Sequence, residues 1–322
     1  MMRILVTGAS GFIGSAVIRE LIENGHETIG LVRSQEAAER LTSIGTIAIR
    51  GSVEDTALLR KAADKADTVI HTAFFHKFSH AGLSTRLRIA LGGAPRQAST
   101  RFMAAAIRME QRAIETFGAA LSAKQGALVI AMPTMTLTAG RLAREEDDGD
   151  PYSVGGGRLA SEKALLIQTE KGIRASIVRL PPIVYGEGDQ GGLLPSLIKI
   201  ARSKKKSVFI EKGANRWPSV HRLDAARLFR LAVEQGTPGS RFHAIADEGI
   251  PFADIAEWIG LESGLPIQSI KADQAADHFG WLSSFAAADN PVSSTLTSER
   301  LGWKAKHPGL LDEIKKGYYF GK

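Results

Sequence analysis

Three glycines, at positions 8, 11 and 14, punctuate the stretch TGASGFIGS directly after the apolar run Arg3–Thr7. Glycine lets a backbone turn sharply and come close to a pyrophosphate. The charge of that group then meets the positive N-terminal end of the following helix. The spacing is G-x-x-G-x-x-G, and its place between a strand pattern and a helix pattern makes it a phosphate-binding turn. About twenty residues further on, a carboxylate would bind the hydroxyls of an adenosine ribose. The chain has Arg33 and Ser34 there. A guanidinium suits a ribose 2′-phosphate in charge and geometry, so the expected cofactor is NADP(H) in preference to NAD(H).

The elements that must hold this turn follow from periodicity. Strand-like runs are expected at 3–7, 28–32, 46–50, 68–72, 127–131 and 175–180, and helical patterns at 12–23, 55–63, 99–122 and 158–169. Their alternation argues for an α/β fold built on a doubly wound parallel sheet. Residues 77–99, with several arginines and glycines and Pro95, read as a loop. After Leu180 the pattern loosens into a smaller C-terminal lobe. The expected division is 1–180 with 207–246 for the cofactor domain, and 181–206 with 247–322 for the substrate-binding lobe.

Composition removes several function classes. The chain has no cysteine, which excludes disulfides, thiolate metal sites and cysteine nucleophiles and fits a cytoplasmic location. No His/Asp/Glu cluster has convincing ligand spacing, so no metal is expected. The apolar N-terminus is broken by glycines and reads as a strand, not a leader. No apolar run approaches the roughly twenty residues of a membrane span. The net charge is +7, and its densest run, Lys204–Lys206, lies between a helix and a strand pattern. Without an aromatic platform beside it, that run is a solvated turn, and no nucleic acid partner is expected.

The segments TGASGFIGS, GSVED (51–55), VIHTAF (69–74) and RLPPIVYGEGD (179–189) occur in the order seen in extended short-chain dehydrogenases/reductases. The chain resembles that group, the NAD-dependent epimerase/dehydratase family, through NRWPSVHRLDAARLFRLA (215–232) and LGW (301–303) as well. The resemblance implies a Rossmann-type fold and a set of cofactor contacts. Gly8, Ser10, Gly11, Phe12, Ile13 and Gly14 match the phosphate turn. Ser52 and Val53 match the pair beside the adenine, where the family usually has Asp at the first position. Thr72, Ala73 and Phe74 match the strand end along the cofactor, and Pro181, Pro182, Ile183 and Val184 the loop at the nicotinamide.

Family enzymes move a proton with a tyrosine, four residues before a lysine that lowers its pKa and holds the ribose. The stretch PYSVGGGRLASEKALL (151–166) has no such pair. Aligning Lys163 to the lysine puts Leu159 at the tyrosine position and loses the flanking glycine and glutamate. Aligning Glu162 to the family glutamate keeps both, with Gly155 after the tyrosine position. Val154 then replaces the tyrosine and Arg158 the lysine. This second register is preferred, and the pattern resembles atypical members without the dyad. Tyr152 is the nearest phenol, free to swing inward or to pack beneath its loop. Thr134, with Thr136 in reserve, matches the family's substrate-orienting hydroxyl. Phe74 and His76 are expected pocket walls, and Arg216 and Trp217 either face a substrate or pack together. His221 reads as a structural histidine.

These residues favour an NADP(H)-dependent oxidoreductase that reduces a carbonyl of a small or medium-sized molecule. Two alternatives stand beside it: a non-catalytic NADP(H)-binding sensor, and a sugar-nucleotide epimerase or dehydratase. Family enzymes often dimerise through helices flanking the sheet, so the resemblance also implies a homodimer, for which the long 99–122 helix is a candidate.

Overall fold

Short apolar runs, buried on both faces, pair as parallel strands, while the amphipathic segments between them cover the sheet. The computed structural model describes residues 1–75, 82–93 and 97–321. Its first strands are β1 (Arg3–Thr7), β2 (Glu27–Val32), β3 (Ile47–Arg50), β4 (Thr68–His71), β5 (Ala127–Pro133) and β6 (Arg174–Leu180). Then come β7 (Ile183–Tyr185), β8 (Ser207–Ile210), β9 (Arg216–His221), β10 (Arg241–His243), β11 (Asp247–Pro251) and β12 (Ile267–Ile270). The central sheet has seven strands in the order β10-β6-β5-β4-β1-β2-β3. In it β1 pairs in parallel with both β2 and β4, in register from Ile4 opposite Thr28 and Thr68. Ile4, Leu5 and Val6 of β1 have no exposed surface, as a strand covered on both faces requires.

The helices of the sheet region are α1 (Phe12–Glu23), α2 (Gln35–Thr42), α3 (Thr56–Ala63), α4 (Leu83–Leu91), α5 (Ala98–Leu121) and α6 (Leu159–Thr169). Local chemistry starts and stops them. Ser34 caps α2 by accepting from the Ala37 amide at 3.2 Å, and Asp55 caps α3 by accepting from Leu58 at 3.0 Å. Gly25, at φ +77°, ends α1.

Helix α4 corrects the expectation of a loop across 77–99. Its start is fixed from a distance: the Glu54 carboxylate accepts from the Gly82 amide at 2.7 Å and the Thr85 hydroxyl at 2.6 Å. No residue adjacent in sequence announces that cap.

The chain forms two compact units, and their boundaries differ from the expected ones. The first comprises residues 1–131, 157–178 and 229–240, and the second 132–156, 179–228 and 241–322. Segment 132–156 joins the second unit through backbone bonds from Gly140 to Asp289, Ala143 to Pro291 and Ser293 to Ala143. The second unit also contains a β11-β9-β7 sheet, a β12-β8 pair, and helices α7 (Leu193–Lys204), α9 (Phe252–Ser263) and the first half of α8 (Arg222–Gln235). Its core gathers Ile183, Tyr185, Leu197, Trp217, Phe252 and Phe279. Among the described residues no helix is long and apolar enough to cross a membrane.

Candidate active site

The glycine turn is complete within the first unit. The chain leaves β1 at Thr7 and reverses at Gly8, which sits at φ +70°. A Cβ on Gly8 would lie 2.9 Å from Thr72 Oγ1, and one on Gly14 would lie 2.1 Å from the Gly8 carbonyl oxygen. Both positions therefore exclude a side chain. Thr72 is held in turn, its hydroxyl donating to the Thr7 carbonyl at 2.8 Å. Helix α1 begins after Gly11 without a side-chain cap, which leaves its amino end open to an anion. This cradle fits the diphosphate of a dinucleotide through Gly8, Ser10, Gly11, Phe12, Ile13 and Gly14. Arg33 lies exposed just past β2, and the Ser34 hydroxyl is engaged as the α2 cap. Ser52 Oγ accepts from the Glu54 amide at 3.2 Å, shaping the turn that carries Val53.

Arg158 ends a short 3-10 turn ahead of α6. Its guanidinium lies over the Phe74 ring at 4.2 Å and donates to the Ala131 carbonyl at 2.8 Å. It also forms a two-pronged ion pair with Glu110, whose side chain is 3% exposed. The positive charge that the family resemblance assigns to cofactor binding is thus met by a buried carboxylate. Sequence reading missed Glu110. Its signal was an acid inside the buried stripe Ala106, Ala113, Ile114 and Phe117 of α5. On β4, His71 lies 2.6 Å from Thr7 Oγ1, and burial lowers its pKa to about 4, leaving it neutral at pH 7.

The second unit carries the remaining expected residues. Thr134, directly after β5, is fully buried, and its hydroxyl donates to Asn290 Oδ1 at 2.7 Å. The Asn290 amide returns a bond to the Thr134 carbonyl at 3.2 Å. Thr136 spends its hydroxyl on the Pro133 carbonyl. Tyr152 is 96% exposed and does not pack beneath its loop, while Val154 is 38% exposed. The glycines after it have a steric reason. A Cβ on Gly155 would lie 2.8 Å from the Met135 carbonyl carbon, and one on Gly156 2.4 Å from the Pro151 oxygen. Lys163 is exposed on α6.

Trp217 is placed in the core and not on a ligand-facing surface. It has no exposed surface, donates to the Phe285 carbonyl at 3.2 Å and meets Phe252 edge-on. Arg216 is clamped by Asp289 at 3.0 and 2.8 Å. Pro181 and Ile183 are buried and Val184 half-buried, whereas His76 lies outside the described residues. The fold also gathers His221, Asp224 and His307. Asp224 accepts from the Lys306 and His307 amides at 3.0 Å each and so clasps the C-terminal segment.

A family model for the NAD-dependent epimerase/dehydratase family matches residues 4–244. The chain belongs to that family. It is 41% identical over 320 residues to an uncharacterised protein of Schizosaccharomyces pombe, covering 99% of this chain and all of that one. It is 25% identical over 291 residues to the 4-hydroxy-2-methyl-3-oxo-4-farnesyl-3,4-dihydroquinoline-1-oxide ketoreductase of Stigmatella aurantiaca, covering 87% of this chain and 80% of that one. The fold is shared with the dTDP-glucose 4,6-dehydratase of Streptomyces venezuelae, solved with NAD bound, at TM-score 0.75 and 16% identity over 100% of this chain and 97% of that one. Family and relatives together indicate an NAD(P)-dependent enzyme of the reductase, dehydratase or epimerase type.

Proposed function

We propose that this protein is an NADP(H)-dependent oxidoreductase that reduces a carbonyl group of a small or medium-sized molecule. The glycine cradle, closed to any side chain at Gly8 and Gly14, carries this reading. When bound, the cofactor supplies hydride. Arg33, standing where a carboxylate would favour NAD(H), supports the phosphorylated form. The ketoreductase relative supports a carbonyl substrate. Thr134 orients the substrate oxygen by turning its hydroxyl hydrogen from Asn290 Oδ1 to that oxygen. Val154 cannot move a proton and Tyr152 faces solvent, so the proton comes from water. The assembly is a homodimer in which Leu83, Leu87 and Leu91 of α4, exposed by 77, 60 and 82%, find cover against the second copy.

Fluorescence titration with NADPH and NADH, followed by a carbonyl panel and the reverse alcohols, tests the function. NADPH should bind at least about tenfold more tightly, and Arg33→Asp should remove that margin. Tighter NADH binding would overturn the cofactor assignment. Tight NADPH binding without turnover would instead support a non-catalytic binder, a reading favoured by the burial of the Arg158 charge against Glu110. Sedimentation should show a dimer that Leu87→Glu dissociates.

A further inference from the structure

Positive charge in this protein is concentrated. Residues 83–112 contain six arginines and one acid, Glu110, so they hold five of the chain's seven net positive charges. The one acid is spent on Arg158, on the opposite side of its helix from the stripe described next. On α5, Arg101, Arg108 and Arg112 are spaced by seven and four residues, which puts them on one face. With Arg88 of α4 they line a hollow of about 360 Å³, near the lower end of the range for small-molecule sites. Its apolar wall comes from Val53, Ile89 and Met109.

The arginines divide by role. Arg101 braces the two helices, its Nε donating to the Ile89 carbonyl at 2.9 Å and its Nη2 to that of Gly93 at 3.3 Å. Among the described residues, Arg88, Arg108 and Arg112 form no ion pair. The acid in the lining, Glu54, has both oxygens committed to the start of α4. A concave wall with several unneutralised guanidinium groups concentrates field on whatever anion enters it. Planar forks take anionic oxygens two at a time, and a di- or triphosphate packs more such oxygens and more charge into a short chain than a carboxylate of similar size.

We infer that the hollow between α3, α4 and α5 is a second ligand site, taking a small molecule with a di- or triphosphate group. It stands apart from the glycine cradle, sharing with the expected cofactor contacts only Val53, and it does not depend on the proposed reaction. Two sources carry this chemistry: inorganic polyphosphate, and a nucleotide whose base uses the apolar wall.

Isothermal titration of the full chain with tripolyphosphate and with ATP, each with and without saturating NADPH, is the test, with citrate as a carboxylate control. Both phosphates should bind in the presence of NADPH and citrate should bind at least tenfold more weakly. Arg108→Ala/Arg112→Ala should weaken the phosphates at least tenfold and leave NADPH affinity within twofold. Both side chains are exposed, so the melting temperature should not move, and equal melting curves check this. Tighter ATP than tripolyphosphate assigns the site to nucleotides, and the reverse order to inorganic polyphosphate. Displacement by NADPH, equal binding of citrate, or an equal loss in a Lys204→Ala/Lys206→Ala control would overturn the inference.

Discussion

A guanidinium stays protonated in a protein, so wherever the chain buries Arg158 something must answer its charge. Glu110 does so from within the core, with Ala131 and Phe74 completing the shell. Removing one member of such a pair leaves an uncompensated buried charge. Glu110→Gln is expected to cost about 3 kcal/mol of stability, measured by urea unfolding beside a surface control such as Glu115→Gln. Loss of less than half that amount would mean that water enters to solvate Arg158. Val154 gives the complementary chemical prediction. A phenol at that position restores a proton donor, and general acid catalysis is worth roughly a hundredfold or more when geometry is right. Val154→Tyr should therefore raise the reductive kcat by at least about tenfold, whereas Tyr152→Phe should leave it unchanged. A rate drop in Tyr152→Phe would show that this exposed side chain reaches the substrate during turnover.

At the scale of elements, the strand–turn–helix unit of β1 and α1 was the part most legible in sequence, because its meaning lies in covalent spacing. Three glycines at fixed intervals after an apolar run leave little else for the backbone to do. Gly14→Ala puts a methyl against the Gly8 carbonyl, so the turn must open. NADPH affinity should fall by more than about tenfold while the far-ultraviolet spectrum holds, and unchanged affinity would place the diphosphate elsewhere. Elements whose determinants are distant were hidden. Helix α4 depends on Glu54, and the Arg158 site on Glu110, 48 residues away. Neither dependency leaves a local pattern. Trp217 stayed open between two readings for a related reason: an Arg–Trp pair beside a proline can face a ligand or a core until the core that covers it is known.

For the whole molecule, acid is the expected weakness. Burial is the chief cause that lowers His71 and His221 to about 4 and His243 to about 3, from 6.5. The folded state therefore holds these rings neutral while the unfolded chain protonates them. Their stability is fully present above pH 6.5 and is lost as pH falls toward 4 and 3. Each ring adds a slope of up to about 1.4 kcal/mol per pH unit across that window. Urea midpoints should be level from pH 8 to 7 and drop steeply between 6 and 4.5. A flat profile there would contradict the burial of all three. The interleaving of the two units carries a further cost, one of timing. Glu145 is bound by Thr297, which leaves the ribosome 152 residues later. At about 5–20 residues per second, that wait is on the order of ten seconds. Until then the 140–145 segment has its backbone partners still unsynthesised, so water alone must satisfy the Gly140 and Ala143 amides on the nascent chain.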